Sequence, residues 1–189
     1  MTPMLSRTTT LLVIDVQEGF TDPAWGPRNN PEAETNIARL LAAWRREGRP
    51  VRHVHHASRS ASGHFREGTP GHEPKTAAVP LAGEPIHIKE VNSAFIGTTL
   101  EEDLRADGVR ELVVVGLTTN HCVSTTVRMA GNLGFTTFVV EDATATFDRV
   151  GLNGEIRPAA EVHAAALSDL SEEFATVVGT EELIADKLS

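Results

Sequence analysis

A chain of 189 residues with 26 acidic against 17 basic side chains, net charge −9, is ill suited to nucleic acid, whose recognition needs clustered Lys and Arg. Its single cysteine excludes an internal disulfide, and its longest apolar runs, LLVI and LVVV, fall far short of the roughly 20 residues that span a bilayer. These features point to one domain over residues 1–189 with a core of its own, acting on a small molecule with neither nucleic acid nor membrane as partner; because MTPMLSRTTT has no apolar signal region, the expected compartment is the cytoplasm.

Short β-branched runs alternate with helical segments, without internal repeats. Thr9 to Asp15 is a continuous apolar run ending in an acid, the pattern of a strand covered on both faces. A helix follows, with Asn30 as N-cap, Pro31 at its first position, Glu32 and Glu34 in the first turn and Gly48 as terminator; Ile37, Leu40, Leu41 and Trp44 share one face. Val51 to His56 is the second strand, and the Gly-, Ser-, Pro- and His-rich stretch to about Gly83 reads as a functional loop or lid, or as an interface arm. Glu84 to Lys89 gives a third strand, Thr98 to Ala106 a helix, Glu111 to Gly116 a fourth strand and Asn120 to Leu133 a helix closed by Gly134. Thr136 to Val140, a helix from Pro158 to Leu170 and a strand from Ala175 to Val178 complete the series. This βαβ rhythm predicts an α/β fold: a three-layer αβα sandwich with a doubly wound, mainly parallel six-stranded sheet.

In such sheets ligands bind beyond the carboxyl ends of the strands, where the strand order reverses. Three residues lie at or just after strand ends: Asp15, Lys89 and Cys122. Cys122 follows a buried strand and a polar turn at the start of a helix, where unpaired amides and the helix dipole favour a thiolate; this predicts a lowered pKa and a nucleophile, against the alternative of a small buried hydrophobe. Asp15 closes an apolar strand and needs a partner if it is to stay ionised. Lys89, closing another, can hold it as a carboxylate that accepts the thiol proton, unless the two form a purely structural pair.

Three segments, Leu11-Leu-Val-Ile-Asp-Val-Gln17, Lys89 with Asn92-Ser-Ala-Phe95, and Gly116-Leu-Thr-Thr-Asn-His-Cys-Val-Ser-Thr-Thr126, resemble the isochorismatase-like cysteine hydrolases. These include nicotinamidases, N-carbamoylsarcosine amidohydrolase, biuret and ureidoacrylate hydrolases, streptothricin hydrolase and isochorismatases, on a Rossmann-like sheet. The resemblance, over about residues 8 to 148, implies Asp15 as general base, Lys89 as the orienting ammonium and Cys122 as nucleophile. It also implies a cis peptide at Leu117–Thr118 and an oxyanion hole from the backbone N–H groups of Thr118 and Cys122. Phe20, Phe95, Gln17 and His121 are candidate substrate contacts, although either phenylalanine can be ordinary core and His121 can simply cap its helix. Arg66, in the long loop, either meets a substrate carboxylate or faces water.

The expected reaction is hydrolysis of a C–N bond in a small amide, lactam or ureido compound through a thioester. The alternatives are isochorismatase-type vinyl ether cleavage and a catalytically silent ligand-binding member. No cofactor and no metal are expected. His53, His55, His56, His64 and His72 invite a metal, but the nicotinamidase-like site places an Asp two residues before a His, and His55-His-Ala-Ser-Arg59 has no acid. A homo-oligomer, dimer or tetramer, is the expected assembly.

Overall fold

The computed structural model describes residues 4–188. Its regular elements in chain order are β1 (Thr10–Ile14), α1 (Ala33–Arg46), β2 (Val51–His56), β3 (Ile86–Lys89), α2 (Leu100–Ala106), β4 (Glu111–Leu117), α3 (Ser124–Asn132), β5 (Thr136–Ala145), β6 (Arg149–Val150), β7 (Ile156–Arg157), α4 (Ala159–Leu170), β8 (Thr176–Val178) and α5 (Thr180–Glu182). Six strands form one sheet in the order β3-β2-β1-β4-β5-β8, every neighbouring pair parallel. None of the described helices is long and apolar enough to cross a membrane.

The continuous apolar runs have a direct cause. Successive side chains of a strand point to opposite faces. Leu11 and Val13 of β1 and Val113 and Val115 of β4 pack on one side against Ile37, Leu40, Leu41 and Trp44 of α1. Leu12, Ile14, Leu112 and Val114 pack on the other against Leu100 and Leu104 of α2, Val127 of α3 and Leu167 of α4. Helices therefore cover both faces, giving three layers.

The structure departs from the sequence reading at four places. Asn30 does not cap α1: its Nδ2 donates to the carbonyls of Glu141 and Thr144, at 2.8 and 2.7 Å. β5 runs five residues beyond Val140 through a shift of register between Val114 and Gly116, and the amides of Asn30 and Asn36 satisfy carbonyls that this irregularity frees. The segment read as a helix from Asn120 begins as a π-helical turn, Thr119–Val123, with α3 starting only at Ser124. The β6–β7 hairpin and α5, both too short to show a period, were not anticipated.

Candidate active site

Because all six strands run the same way, their carboxyl ends share one edge of the sheet. The order reverses between β1, which continues to β2 and β3, and β4, which continues to β5 and β8. At that junction Gly116 has φ 120°, and a Cβ there would lie 1.9 Å from the Ile14 carbonyl oxygen. Only glycine admits this approach, which brings the ends of β1 and β4 together. Asp15, one residue past β1, adopts φ 50°, a left-handed conformation that aspartate tolerates better than most residues. The Leu117–Thr118 peptide is cis, and the Thr118 carbonyl accepts from the amides of His121 and Val123, at 3.1 and 3.2 Å. This turn presents Cys122.

Lys89 ends β3, two strands from β1 and thus about 10 Å away across the sheet, a gap that its long stem bridges. The side chain is fully buried, Asp15 is 1 % exposed, and Nζ donates to Asp15 Oδ2 at 2.7 Å and to Cys122 Sγ at 3.4 Å. Its third contact, at 3.1 Å, is His56 Nδ1. The His56 pKa is lowered, by burial first and then by the Lys89 charge, so the ring is neutral and accepts from the ammonium. Asp15 Oδ1 is buried and has no hydrogen-bond partner.

The thiol departs from expectation. Its pKa is not lowered but pushed up to about 12, by burial first and then by the Asp15 charge, with the Lys89 ammonium working in the opposite direction. The short π-helical turn does not outweigh desolvation plus an adjacent carboxylate. Cys122 in the free protein is a thiol beside a proton acceptor, not a standing thiolate.

A cavity of about 180 Å³ opens over this cluster, bordered by Asp15, His56, Thr118, His121 and Cys122 at its polar end. Four aromatic side chains, Phe20, Trp25, Phe65 and Phe147, wall it. Phe20 and Phe65 lie 4.6 Å apart between ring centroids, and Trp25 stacks on Phe147 at 5.5 Å and 26°. The long loop after β2 thus supplies a wall through Phe65. A larger cavity of about 910 Å³ lies alongside and contains neither Cys122, Asp15 nor Lys89.

Among the substrate contacts expected from sequence, Phe20 and His121 border the cavity. Phe95 does not: it is buried in the α2 and α3 layer, stacked on Phe135 at 6.0 Å, and Asn92 of the same segment borders the cavity instead. Gln17 does not border it either. Its amide donates to the carbonyls of His56 and His72 and accepts from the His56 amide, at 3.1, 2.8 and 2.8 Å, which commits it to fixing the β2 end and the loop. Arg66 is exposed.

Two of the histidines pair with carboxylates. His53 bonds Glu84 at 2.8 Å and His64 lies 3.1 Å from Asp22. The cluster with metal-ligand spacing among the described residues is Asp15, His56 and Cys122, their ligand atoms within 4.8 Å of one another. Lys89 Nζ touches all three, so an ammonium already occupies the position a cation would need.

The sequence reading names His56 only as a possible metal ligand and does not single out Trp25, Phe65 or Phe147. Two were within reach of the strand-end rule: His56 is the last residue of β2, paired in register with Lys89, and Phe147 lies two residues past β5. Trp25 and Phe65 come from irregular segments with no periodic signal.

Comparison with known proteins places this arrangement. The family model for the isochorismatase domain matches residues 9–182. The chain is 44% identical to the isochorismatase family protein YrdC of Bacillus subtilis, over 93% of this chain and 94% of that protein. It is 32% identical to nicotinamidase 3 of Arabidopsis thaliana, over 94% and 88%. The structure of an isochorismatase-family protein from Chromobacterium violaceum superposes with a TM-score of 0.94 at 46% identity, covering 97% of this chain and 95% of that one. With the family's sheet, and with the aspartate, lysine and cysteine drawn together at its reversal point, the chain belongs to the isochorismatase family of hydrolases.

Proposed function

We propose that the chain is a cysteine amidohydrolase that cleaves a C–N bond in a small amide, lactam or ureido compound through a thioester. The observation that carries this reading is the convergence of Asp15, Lys89 and Cys122 beneath an aromatic-walled cavity. A space of about 180 Å³ admits a small, flat acyl group and excludes a polymer.

Since the resting thiol holds its proton, the nucleophile forms by transfer to Asp15 as substrate enters, and the Lys89 ammonium stabilises the resulting thiolate. The thiolate adds to the carbonyl carbon, and the backbone N–H groups of Thr118 and Cys122 receive the oxyanion. Asp15 returns its proton to the nitrogen as the C–N bond breaks. It then takes a proton from water; the hydroxide adds to the thioester carbonyl, the C–S bond breaks, and Asp15 returns the proton to the departing sulfur, restoring the thiol. His56 keeps Lys89 directed at the pair. Phe20 and His121 contact the substrate, and no metal takes part.

A screen of small amides, ureas and isochorismate, with Cys122→Ala as control, tests this. An amide or urea turned over by the wild type and not by the variant is the expected result. Turnover of isochorismate alone, undiminished in Cys122→Ala, establishes vinyl ether cleavage instead, and binding without turnover establishes a silent member.

A further inference from the structure

The buried face of α4 consists of Ala159, His163, Leu167 and Leu170. His163 alone is polar, and an imidazole in an aliphatic layer costs stability unless it is hydrogen-bonded. Its Nδ1 lies 2.9 Å from the hydroxyl of Thr119, which is itself fully buried. Burial lowers the His163 pKa, against the weaker opposing pull of the Glu141 backbone. The ring is therefore neutral and joins Thr119 through an uncharged hydrogen bond. No step of the proposed reaction uses either side chain.

The place of Thr119 gives this bond its meaning. Thr119 opens the π-helical turn Thr119–Val123. It directly follows Thr118, and the turn contains Cys122, so the two amides that receive the oxyanion in the proposed reaction flank it. The inner hydrogen bonds of the turn, from the amides of His121 and Val123 to the Thr118 carbonyl, curl it but do not fix where it stands against the rest of the fold. Side chains do that. Cys122 Sγ is tethered by Lys89 at 3.4 Å, and Asn120 Oδ1 by the Thr146 hydroxyl at 2.5 Å. At the Thr118 end the tether is the bond between Thr119 and His163. Its precision matters, because two donors must converge on one oxygen and a misplacement of about 1 Å can cost about 10²-fold in rate.

We propose that His163 is a positioning residue for the oxyanion hole: from α4, and without touching substrate, it fixes Thr119 and so keeps the Thr118 amide convergent with that of Cys122. This role rests on the catalytic reading above. Because the bond adds no charge beside Asp15 or Cys122, His163 leaves formation of the thiolate alone and acts where the carbonyl oxygen gains its charge.

Two reactions of Cys122 separate the hole from the nucleophile. Alkylation by iodoacetamide forms a C–S bond, expels iodide and develops no oxyanion. Reversible addition to benzaldehyde repeats the first step of the proposed reaction: a C–S bond forms, the C=O π bond opens, the thiol proton passes to Asp15 and the oxyanion meets the two amides. His163→Leu, and Thr119→Val at nearly constant shape, should each weaken covalent benzaldehyde binding at least about 10-fold, read as lost protection from alkylation. The rate and pH dependence of alkylation itself should stay close to the wild type. The double variant should be hardly worse than either single one, and His163→Asn, whose amide keeps a polar atom near the position of Nδ1, should recover much of the loss. On an amide that the screen identifies, kcat should fall at least about 10-fold with KM within about twofold. Thr137→Val, at a buried threonine near the start of β5, should change none of these. Thr119→Val keeps the test decisive if His163→Leu does not fold. A wild type that forms no benzaldehyde adduct overturns the catalytic reading and this role with it. A wild type that forms the adduct, with variants that bind benzaldehyde equally well or lose alkylation in parallel, overturns the role of His163 alone.

Discussion

Two ionic clusters in this chain use similar parts to opposite ends. At the start of α1, Glu34 accepts two bonds from Arg28, at 2.7 and 2.6 Å, and one from Lys75 at 2.6 Å. Burial works to raise its pKa, but the hydrogen bonds from Arg28 and Lys75 prevail and hold it at about 2. Both carboxylate oxygens are engaged and no nucleophile is near. At the sheet reversal, Asp15 has one oxygen on Lys89 and the other unpartnered, beside a thiol whose pKa is raised to about 12. The first cluster is satisfied and has no proton to move. The second is incomplete, with a proton on one side and an acceptor on the other. A buried ion pair is thus a poor mark of chemistry by itself; an unfilled acceptor beside an acidic hydrogen is a better one.

The largest expected effect separates the clusters outright. Cys122→Ala should lower kcat/KM on a true amide substrate by at least about 10³-fold. Far-UV circular dichroism and the thermal midpoint should stay close to the wild type, because only one sulfur is removed. Retention of more than a small fraction of activity would rule out covalent catalysis at this residue.

A second test asks whether Asp15 and Lys89 act on the same proton. Lys89→Met removes the cation that favours the thiolate, so the pH dependence of Cys122 alkylation by iodoacetamide should move to higher pH. Asp15→Asn removes the anion that opposes the thiolate, so it should move to lower pH. Activity should nonetheless fall in both variants, and the double variant should be hardly worse than either single one. Shifts in the same direction, or strictly multiplicative losses of rate, would show that the two residues act separately. Lys89→Met also leaves a buried carboxylate uncompensated, which costs about 3–5 kcal/mol of stability.

Much of this was legible in the sequence because strand ends are chemically conspicuous. An acid after Leu-Leu-Val-Ile, a lysine after His-Ile and a cysteine after a buried strand and a polar turn each break an apolar pattern, and a parallel sheet carries all three to one edge. The rest depended on tertiary context. Phe95 reads equally well as pocket wall or core until α2 and α3 are packed, and it went to the core beside Phe135. Gln17 is polar and close to Asp15 in sequence, but β2 and the following loop take up its hydrogen-bonding atoms. The thiol was misjudged because a helix start is visible in sequence, whereas the desolvation that overrides it is not.

Breaking the satisfied cluster should have a smaller effect and a different signature. Glu34→Gln keeps the shape and loses the charge on which Arg28 and Lys75 converge, so stability should fall by about 1–3 kcal/mol with kcat little changed. The pKa of Glu34 is lowered in the folded state, from its ordinary 4.5 to about 2. Its contribution is therefore fully present above about pH 4.5 and is lost as pH falls towards 2. Urea unfolding at pH 7 and at pH 3 should accordingly give a smaller difference between wild type and Glu34→Gln at the lower pH. An equal difference at both would show that the stabilisation is not ionic.

The smallest expected effect is none, and it bears on what fills the centre of the incomplete cluster. Asp15, His56 and Cys122 have the donor types and the spacing of a soft divalent metal site. A metal there would have to displace the Lys89 ammonium, which already makes the cluster's three contacts at 2.7, 3.1 and 3.4 Å. It would also bind the sulfur and the carboxylate that the proposed reaction needs free. The stretch His55 to Arg59 offers no carboxylate for a second metal position close by. Dialysis against a strong chelator, followed by assay in metal-free buffer, should thus leave kcat and KM unchanged on the substrate that the screen identifies. Added zinc should inhibit, by capturing the thiolate as it forms. Activity lost in chelator and restored by a stoichiometric divalent ion would show that the lysine is not the resident cation of the working site, and the comparison between the two clusters would have to be rebuilt around a metal.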